Sequence, residues 1–211
     1  MKKLFIFGSS GYFKEQFIWL KDMISSTNTS SIEILGIIDN KNKKKKDNYS
    51  GLKIYKSNKI KYSKNIYIYI AVGNPDLRSK AIKKFHQFNF FSMIHPSAVI
   101  SNKAKLGVGL TISPGCIVAG NARLGDFNNL NFGSMISHDC EIKKNNTFSP
   151  GTKIMGNCMI GNNNNFGVNS VMIPGTKVEN NNIIGASCAI TKNFKSNLVL
   201  TGLPATINKK K

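Results

Sequence analysis

Between Ile94 and Ile190 every sixth residue is apolar, running Ile94, Ile100, Leu106, Ile112 and onward without a break to Val178, Ile184 and Ile190. A helix of 3.6 residues per turn cannot hold one face apolar at that spacing, and a strand of period two would need further apolar residues between. A parallel β-helix can. Each hexad makes one short flat face whose apolar residue points inward, and three hexads close a triangular coil of about 18 residues. Successive coils then stack about 4.8 Å apart, the ordinary spacing of hydrogen-bonded strands. Four places after the apolar residue the side chain is small or polar in most hexads, at Ala98, Ala104, Cys116, Ala122, Ser134, Cys140, Thr152, Cys158, Ser170, Thr176 and Cys188, as a corner filler would be. Glycine often follows the apolar residue directly, at Gly107, Gly125, Gly161, Gly167 and Gly185, where a side chain would crowd the corner. The spacing does not set the hand of the coil, and the general crossover rule favours the right hand.

Ahead of the repeat, the apolar run Lys2 to Phe7, the turn Gly8-Ser9-Ser10-Gly11 and a helical pattern from Glu15 to Ile24 form a strand–turn–helix unit. Such a unit opens nucleotide-binding α/β folds, because free backbone N–H groups at the helix start can hold an anion. The turn is neither a dinucleotide fingerprint nor a P-loop. A second strand, Ile34 to Ile38, ends in Asp39-Asn40, which serves either a ribose or base edge or a plain turn. A charged loop is predicted from Lys41 to Asn48, then a strand from Ile66 to Val72 that ends in Gly73-Asn74-Pro75, and a helix from Leu77 to Phe88. On a parallel sheet the strand ends gather on one edge, so Gly8 to Gly11, Asp39 and Gly73 are expected to converge there. The predicted division is an α/β domain over residues 1–92, a β-helix over 93–192, and an extension over 193–211 that loses the period and ends in a disordered basic tail.

The four cysteines all occupy the small corner position of the hexads and lack C-x-x-C spacing, so they read as reduced core packing with neither metal nor disulfide. Reduced thiols, no signal-peptide pattern before the first strand and no apolar run near the ~18 residues of a membrane span predict a cytoplasmic chain without membrane insertion. Thirty Lys and Arg against ten Asp and Glu give a formal charge of +20. That surplus alone suggests nucleic acid, but the lysines are scattered and no aromatic residues interleave them as single-strand binding requires. No nucleic-acid partner is expected; the frequent Lys, Asn and Ile read as the bias of an AT-rich coding sequence, on a basic surface that also attracts phosphorylated substrates.

Of three histidines, His86 falls in the predicted second helix and His95 precedes a proline at the domain junction. His138 lies in the hexad Ile136-Ser137-His138-Asp139-Cys140-Glu141, where an imidazole beside a carboxylate can accept a proton near neutral pH. Eighteen residues on, Gly156 falls beside it one coil up and offers a backbone N–H of the kind that stabilises an acyl-transfer oxyanion. Base and donor one coil apart make an acyl-transfer pair.

Six stretches in order, Phe7-Gly8-Ser9-Ser10-Gly11, Gly36-Ile37-Ile38-Asp39, Ala71-Val72-Gly73-Asn74 with Arg78, Ile94-His95-Pro96-Ser97-Ala98, Ser137-His138-Asp139-Cys140 and Gly202-Leu203-Pro204-Ala205, resemble one group. The chain is similar to the bacterial sugar acetyltransferases of hexapeptide-repeat type, which join an N-terminal nucleotide-sugar-binding domain to a left-handed β-helix. The group includes the bacillosamine and perosamine N-acetyltransferases and the sialic acid O-acetyltransferases. The left hand comes from this resemblance alone. It implies a homotrimer with active sites between neighbouring β-helices, acetyl-CoA as co-substrate, no metal and no covalent acyl-enzyme. It further implies His138 as general base, Asp139 as the acid that tunes it and Gly156 as oxyanion donor. Coenzyme A would lie along Thr147, Gly167, Val168, Gly185 and Ala186, and the nucleotide on Gly8, Ser10, Gly11, Tyr12, Asp39, Asn40, Gly73 and Asn74. Two departures fall in the nucleotide pocket: Tyr12-Phe13 stands where the group usually carries His-Gly, and Asp39-Asn40 where uridine-binding members often carry two acids. The activity implied is N-acetylation of a nucleotide-linked amino sugar for surface glycan synthesis. O-acetylation of a sialic-acid-like hydroxyl and a non-catalytic nucleotide-sugar-binding protein are the alternatives.

Overall fold

The computed structural model describes residues 1–8, 10–26, 31–40 and 48–210. These form two compact units, Met1–Pro96 and Ser97–Lys211. Most of the predicted charged loop, residues 41–47, lies outside the described residues; Asn48, assigned to that loop, instead starts a strand.

The first unit is an α/β domain. Its elements are β1 (Lys2–Phe7), α1 (Gly11–Ser26), β2 (Ile32–Ile38), β3 (Asn48–Tyr49), β4 (Leu52–Tyr55), β5 (Ile66–Ile70), α2 (Pro75–Lys84) and β6 (Asn89–Phe90). The sheet order is β3-β4-β2-β1-β5-β6, and β1 runs parallel to both β2 and β5. Leu4 and Ile6 face one way and pack with Phe13, Phe17 and Leu20 of α1, while Phe5 joins Ile68, Ala81 and Phe85 on the other face. Both faces are therefore dry, as parallel strands with helical crossovers require. α2 starts two residues earlier than the hydrophobic pattern indicates, because Asn74 caps it, accepting from the Leu77 N–H at 2.9 Å, and Pro75 suits the first helical position. It also ends earlier, at Lys84; a turn closed by Phe88 N–H to Phe85 carbonyl at 2.9 Å then sends the chain into β6. His86 thus lies beyond the helix, with Nδ1 2.9 Å from the Lys83 carbonyl oxygen.

The second unit is a β-solenoid with two-residue strands on three faces. Along one face Ile112, Leu130, Phe148, Phe166 and Ile184 stack in register, along the next Val118, Ile136, Ile154, Met172 and Ile190, and along the third Leu106, Leu124, Ile142, Ile160 and Val178. From Ile112 onward every one of these is buried, and the rings of Phe148 and Phe166 stack with centroids 5.0 Å apart. All four cysteines are free and buried. Cys140 and Cys158 donate to the Met155 and Ile173 carbonyls at 3.0 and 3.2 Å, and burial pushes the Cys116 thiol up to about 11.

Three features depart from the sequence reading. First, the turn of most hexads is made three residues after the inward one, where the backbone takes a positive φ. Asn121, Asn145, Asn157, Asn163, Asn169 and Asn181 sit there, as do Gly115, Gly133, Gly151 and Gly175. Asparagine tolerates this conformation better than other side chains, so its abundance is structural and not merely a coding bias. Second, one corner in three is filled by asparagine in place of a small residue: Asn128, Asn146, Asn164 and Asn182 are all buried, and each Oδ1 accepts a backbone N–H of the next coil at 2.8 Å. Third, the coil outlasts the period. Ile184 pairs with Leu200, sixteen residues on, and the predicted disordered tail is a strand, Thr206–Lys210, antiparallel to Leu198–Thr201. The strand pairing satisfies backbone groups that the last coil would leave open.

Candidate active site

In the α/β domain the carboxyl ends of β1, β2 and β5 border a crevice of about 470 Å³. Phe7, Gly8, Ser10, Ile38, Asp39, Asn40 and Val72 line it, and Leu77, Lys80, Ala81 and Lys84 of α2 close one side. Of the convergence predicted for Gly8 to Gly11, Asp39 and Gly73, the crevice brings together Gly8, Ser10 and Asp39, with Asn40 beside them; Ser9 lies outside the described residues. Gly8 is required, since a Cβ there would fall 2.6 Å from the Ala71 carbonyl oxygen at a φ of +140°. Gly11, Tyr12, Gly73 and Asn74 do not line the crevice. The Tyr12 ring lies against Gly73, where a Cβ would approach it to 3.3 Å, and the Asn74 side chain is spent on the α2 cap. The Asn40 Oδ1 accepts from the Ser57 N–H at 2.9 Å, and Lys56 Nζ donates to the Asp39 and Asn40 carbonyls at 3.3 and 3.1 Å. Sequence reading named Arg78 only for its resemblance. It is fully buried and its Nη1 donates to the Val72 and Gly73 carbonyls at 2.9 and 3.0 Å, which pins the strand end that borders the crevice. Burial lowers the guanidinium to about 10.

In the solenoid, His138 and Asp139 occupy the turn after the strand Met135–Ile136. Nδ1 of His138 lies 2.9 Å from Asp139 Oδ2, and the other oxygen, Oδ1, accepts from Asn121 Nδ2 at 3.0 Å. Asp139 takes a φ of 57°, and this left-handed turn swings the carboxylate back onto its own neighbour's ring. The two bonds, His138 first and Asn121 second, hold the Asp139 carboxyl below its ordinary value, so it stays ionised at neutral pH. An ionised Asp139 accepts from Nδ1–H and thereby leaves Nε2 as the basic nitrogen. Gly156 lies under the ring: a Cβ there would come within 2.5 Å of His138 Cε1 and Nε2. No described residue accepts from the Gly156 N–H. On the other side, one coil back, Gly120 is open, and a Cβ there would meet only Ser101 Oγ, at 3.7 Å. His138 therefore stands between two glycines, leaning on one and open toward the other. Asn121 escaped the sequence reading, although it lies one coil before Asp139 as Gly156 lies one coil after His138.

Gly167, Val168, Gly185 and Ala186 come together at a different corner, the one preceding the strands Val171–Met172 and Ala189–Ile190. Gly167 leaves no room for a side chain, since a Cβ would lie 2.5 Å from the Ala186 N. Val168 is 44% exposed, and its carbonyl accepts from the Ser187 N–H at 2.8 Å. Thr147 is buried in a strand of the preceding face. The strip of bare backbone and exposed Val168 suits a long ligand held by main-chain groups. Within one chain it is separated from His138 by the width of a solenoid face. That face carries Val99, Ile117, Met135 and Val171 outward, interrupted by Lys153. Val99 is 65% and Ile117 40% exposed.

Residues 3–85 match the PglD N-terminal domain family. No curated protein matches the sequence significantly. Among solved structures, the chain is similar to the acetyltransferase domain of PglB from Neisseria gonorrhoeae FA1090, at 22% identity and a TM-score of 0.85, over 98% of this chain and 100% of that one. The same domain has been solved in complex with acetyl coenzyme A. PerB from Caulobacter crescentus, in complex with CoA and GDP-perosamine, matches at 23% identity and a TM-score of 0.82, over 99% of this chain and 98% of that one. WeeI from Acinetobacter baumannii AYE matches at 20% identity and a TM-score of 0.74, over 98% of this chain and all of that one. At these identities the likeness is one of fold. The chain therefore has, along nearly its whole length, the fold of these structures: a Rossmann-like domain of PglD N-terminal type followed by a left-handed parallel β-helix.

Proposed function

We propose that this protein is an acetyl-CoA-dependent N-acetyltransferase acting on the amino group of a nucleotide-linked sugar. The observation that carries the reading is the His138–Asp139 pair on the solenoid corner with Gly156 beneath the imidazole. Structures of similar fold bind acetyl coenzyme A, and one holds GDP-perosamine with CoA. The crevice at the strand ends of the N-terminal domain, with one acid and two lysines, suits the nucleotide.

In this mechanism Nε2 of His138 removes a proton from the neutral sugar amine as its nitrogen bonds to the acetyl carbon. Asp139 holds the Nδ1 proton and stabilises the imidazolium that forms. The Gly156 N–H faces the negative charge that gathers on the acetyl oxygen. The carbon–sulfur bond breaks, and the thiolate leaves with the proton carried on His138. CoA would be held by the backbone of Gly167, Val168, Gly185 and Ala186.

A homotrimer belongs to the same reading. The apolar face lies between the His138 corner and the Gly167 corner, and a threefold head-to-tail contact buries one edge of a face against the opposite edge of its neighbour. Such packing brings the base of one copy to the CoA strip of the next, which one solenoid alone keeps apart.

The test is CoA release from acetyl-CoA with UDP-, dTDP- and GDP-linked amino sugars, wild type beside His138→Ala. One of these sugars is expected to release CoA, with a loss of at least 10²-fold in the variant. Release that survives the substitution would remove His138 as base. No release with any of them, with acetyl-CoA still bound, would overturn N-acetylation and direct the assay to a sugar hydroxyl.

A further inference from the structure

Beside the His138 corner, on the Asp139 side, lies a recess of about 480 Å³ lined by Lys103, Lys105, Asn121, Arg123, Asp139, Cys140 and Glu141. Its walls follow the coil register. Lys103, Asn121 and Asp139 occupy one turn position in three successive coils, and Lys105, Arg123 and Glu141 pair along the adjoining face. Both carboxylates in it are already engaged: Asp139 by His138 and Asn121, Glu141 by Lys143 Nζ at 2.5 Å. Lys103, Lys105 and Arg123 form no ion pair among the described residues, and all three are exposed. The recess thus holds three cations one to two coils from the base, Arg123 among them also stabilising the neighbouring Glu141 carboxylate. Asp139 is at once its wall and the partner of His138, so an anion seated there comes next to the reacting centre.

We infer that Lys103, Lys105 and Arg123 form a phosphate-binding subsite that anchors the substrate on the Asp139 side of His138. Arg123 supplies a planar fork for two oxygens of a phosphate, and the two lysines supply point charges around it. Anchoring at a group remote from the reacting atoms contributes orientation, since it holds the substrate beside Asp139 and so beside the ring that Asp139 positions. This subsite rests on the acetyl-transfer reading for its place in the reaction, and its anion-binding is measurable without it. The phosphate comes either from the diphosphate of the acceptor or from coenzyme A.

The test uses the full chain and pyrophosphate as probe, followed by the Arg123 Nε–H and His138 ring NMR signals and by titration calorimetry at low salt. Wild type is expected to bind with both signals moving. The K103Q/K105Q/R123Q variant is expected to bind at least tenfold more weakly, with His138→Ala binding as wild type does. A K192Q/K209Q/K210Q variant removes as much charge elsewhere and is expected to bind as wild type does. Equal weakening in the two triple variants, or Arg123 and His138 signals that stay still, would overturn the subsite. Adenosine 3′,5′-bisphosphate and GDP, titrated in the same way, assign the source: the one whose binding the first triple variant weakens carries the recognised phosphate, and weakening of neither overturns the assignment. Failure of the acetyl-transfer assay with pyrophosphate binding intact would sink the reaction and leave the subsite standing.

Discussion

At the scale of the residue, the candidate site depends on two small groups around one ring. Gly156 has no positive φ, so alanine there meets no backbone penalty; the obstacle is the ring, 2.5 Å from the new Cβ. Gly156→Ala is expected to keep the fold, with a melting temperature within a few degrees of wild type, and to push the imidazole off its seat. A displacement of this size costs roughly 10- to 100-fold in kcat, with the KM for acetyl-CoA little changed. Wild-type kcat in the variant would show that the ring's contact with Gly156 contributes nothing to the reaction. Phe127 makes the complementary point. It carries a bulky side chain at a φ of 58°, where asparagine, glycine, Asp139 or Ser187 stands in the other left-handed turns, and its ring fills the space over Gly109.

At the scale of the element, the corner after the third face decides how well the coils hold together. Asn146 Nδ2 donates to Asn128 Oδ1 at 3.0 Å and to the Gly161 carbonyl at 2.9 Å, while its Oδ1 accepts from the Asn164 backbone N–H at 2.8 Å. Buried polar groups in such a ladder are stable only when all are paired. Asn146→Ala leaves the Asn164 N–H and the Gly161 carbonyl without these partners in a dry corner, and is expected to cost about 2–4 kcal/mol. Urea unfolding measures it; a cost under about 1 kcal/mol would mean that water replaces the amide. A spacing of six does not reveal this ladder, because a corner that is small or polar admits Asn128, Asn146, Asn164 and Asn182 without setting them apart from the small fillers. The same asparagines, searched at a spacing of eighteen, announce it.

At the scale of the whole molecule, the proposed trimer follows from an apolar outer face on a chain whose formal charge of +20 keeps copies apart elsewhere. Ile117 stands outward near the start of that face, so Ile117→Asp places a charge in the proposed contact without touching the inner core. Sedimentation equilibrium is expected to give the mass of three chains for wild type and of one for the variant, with CoA release lost in parallel. A monomeric wild type with full activity would place the whole site within one chain. The closing hairpin, with Lys209 and Lys210 on its exposed strand, hinders further strand addition at that end.

The sequence alone determined the solenoid, its inward seam and the meeting of His138 with Gly156, because a fixed period of six converts position along the chain directly into position in space. The two-domain order and the crevice-lining Gly8, Ser10 and Asp39 were also legible, since strand ends of a parallel sheet collect on one edge. Only the tertiary structure decided what each polar group is spent on. Asn74 caps a helix, Asn121 holds Asp139, and Arg78 is buried under a strand end; all are polar residues whose partner is chosen by packing and not by spacing. The continuation of the coil through Leu200 was likewise hidden, because a coil of sixteen residues breaks the period while still satisfying the same backbone hydrogen bonds.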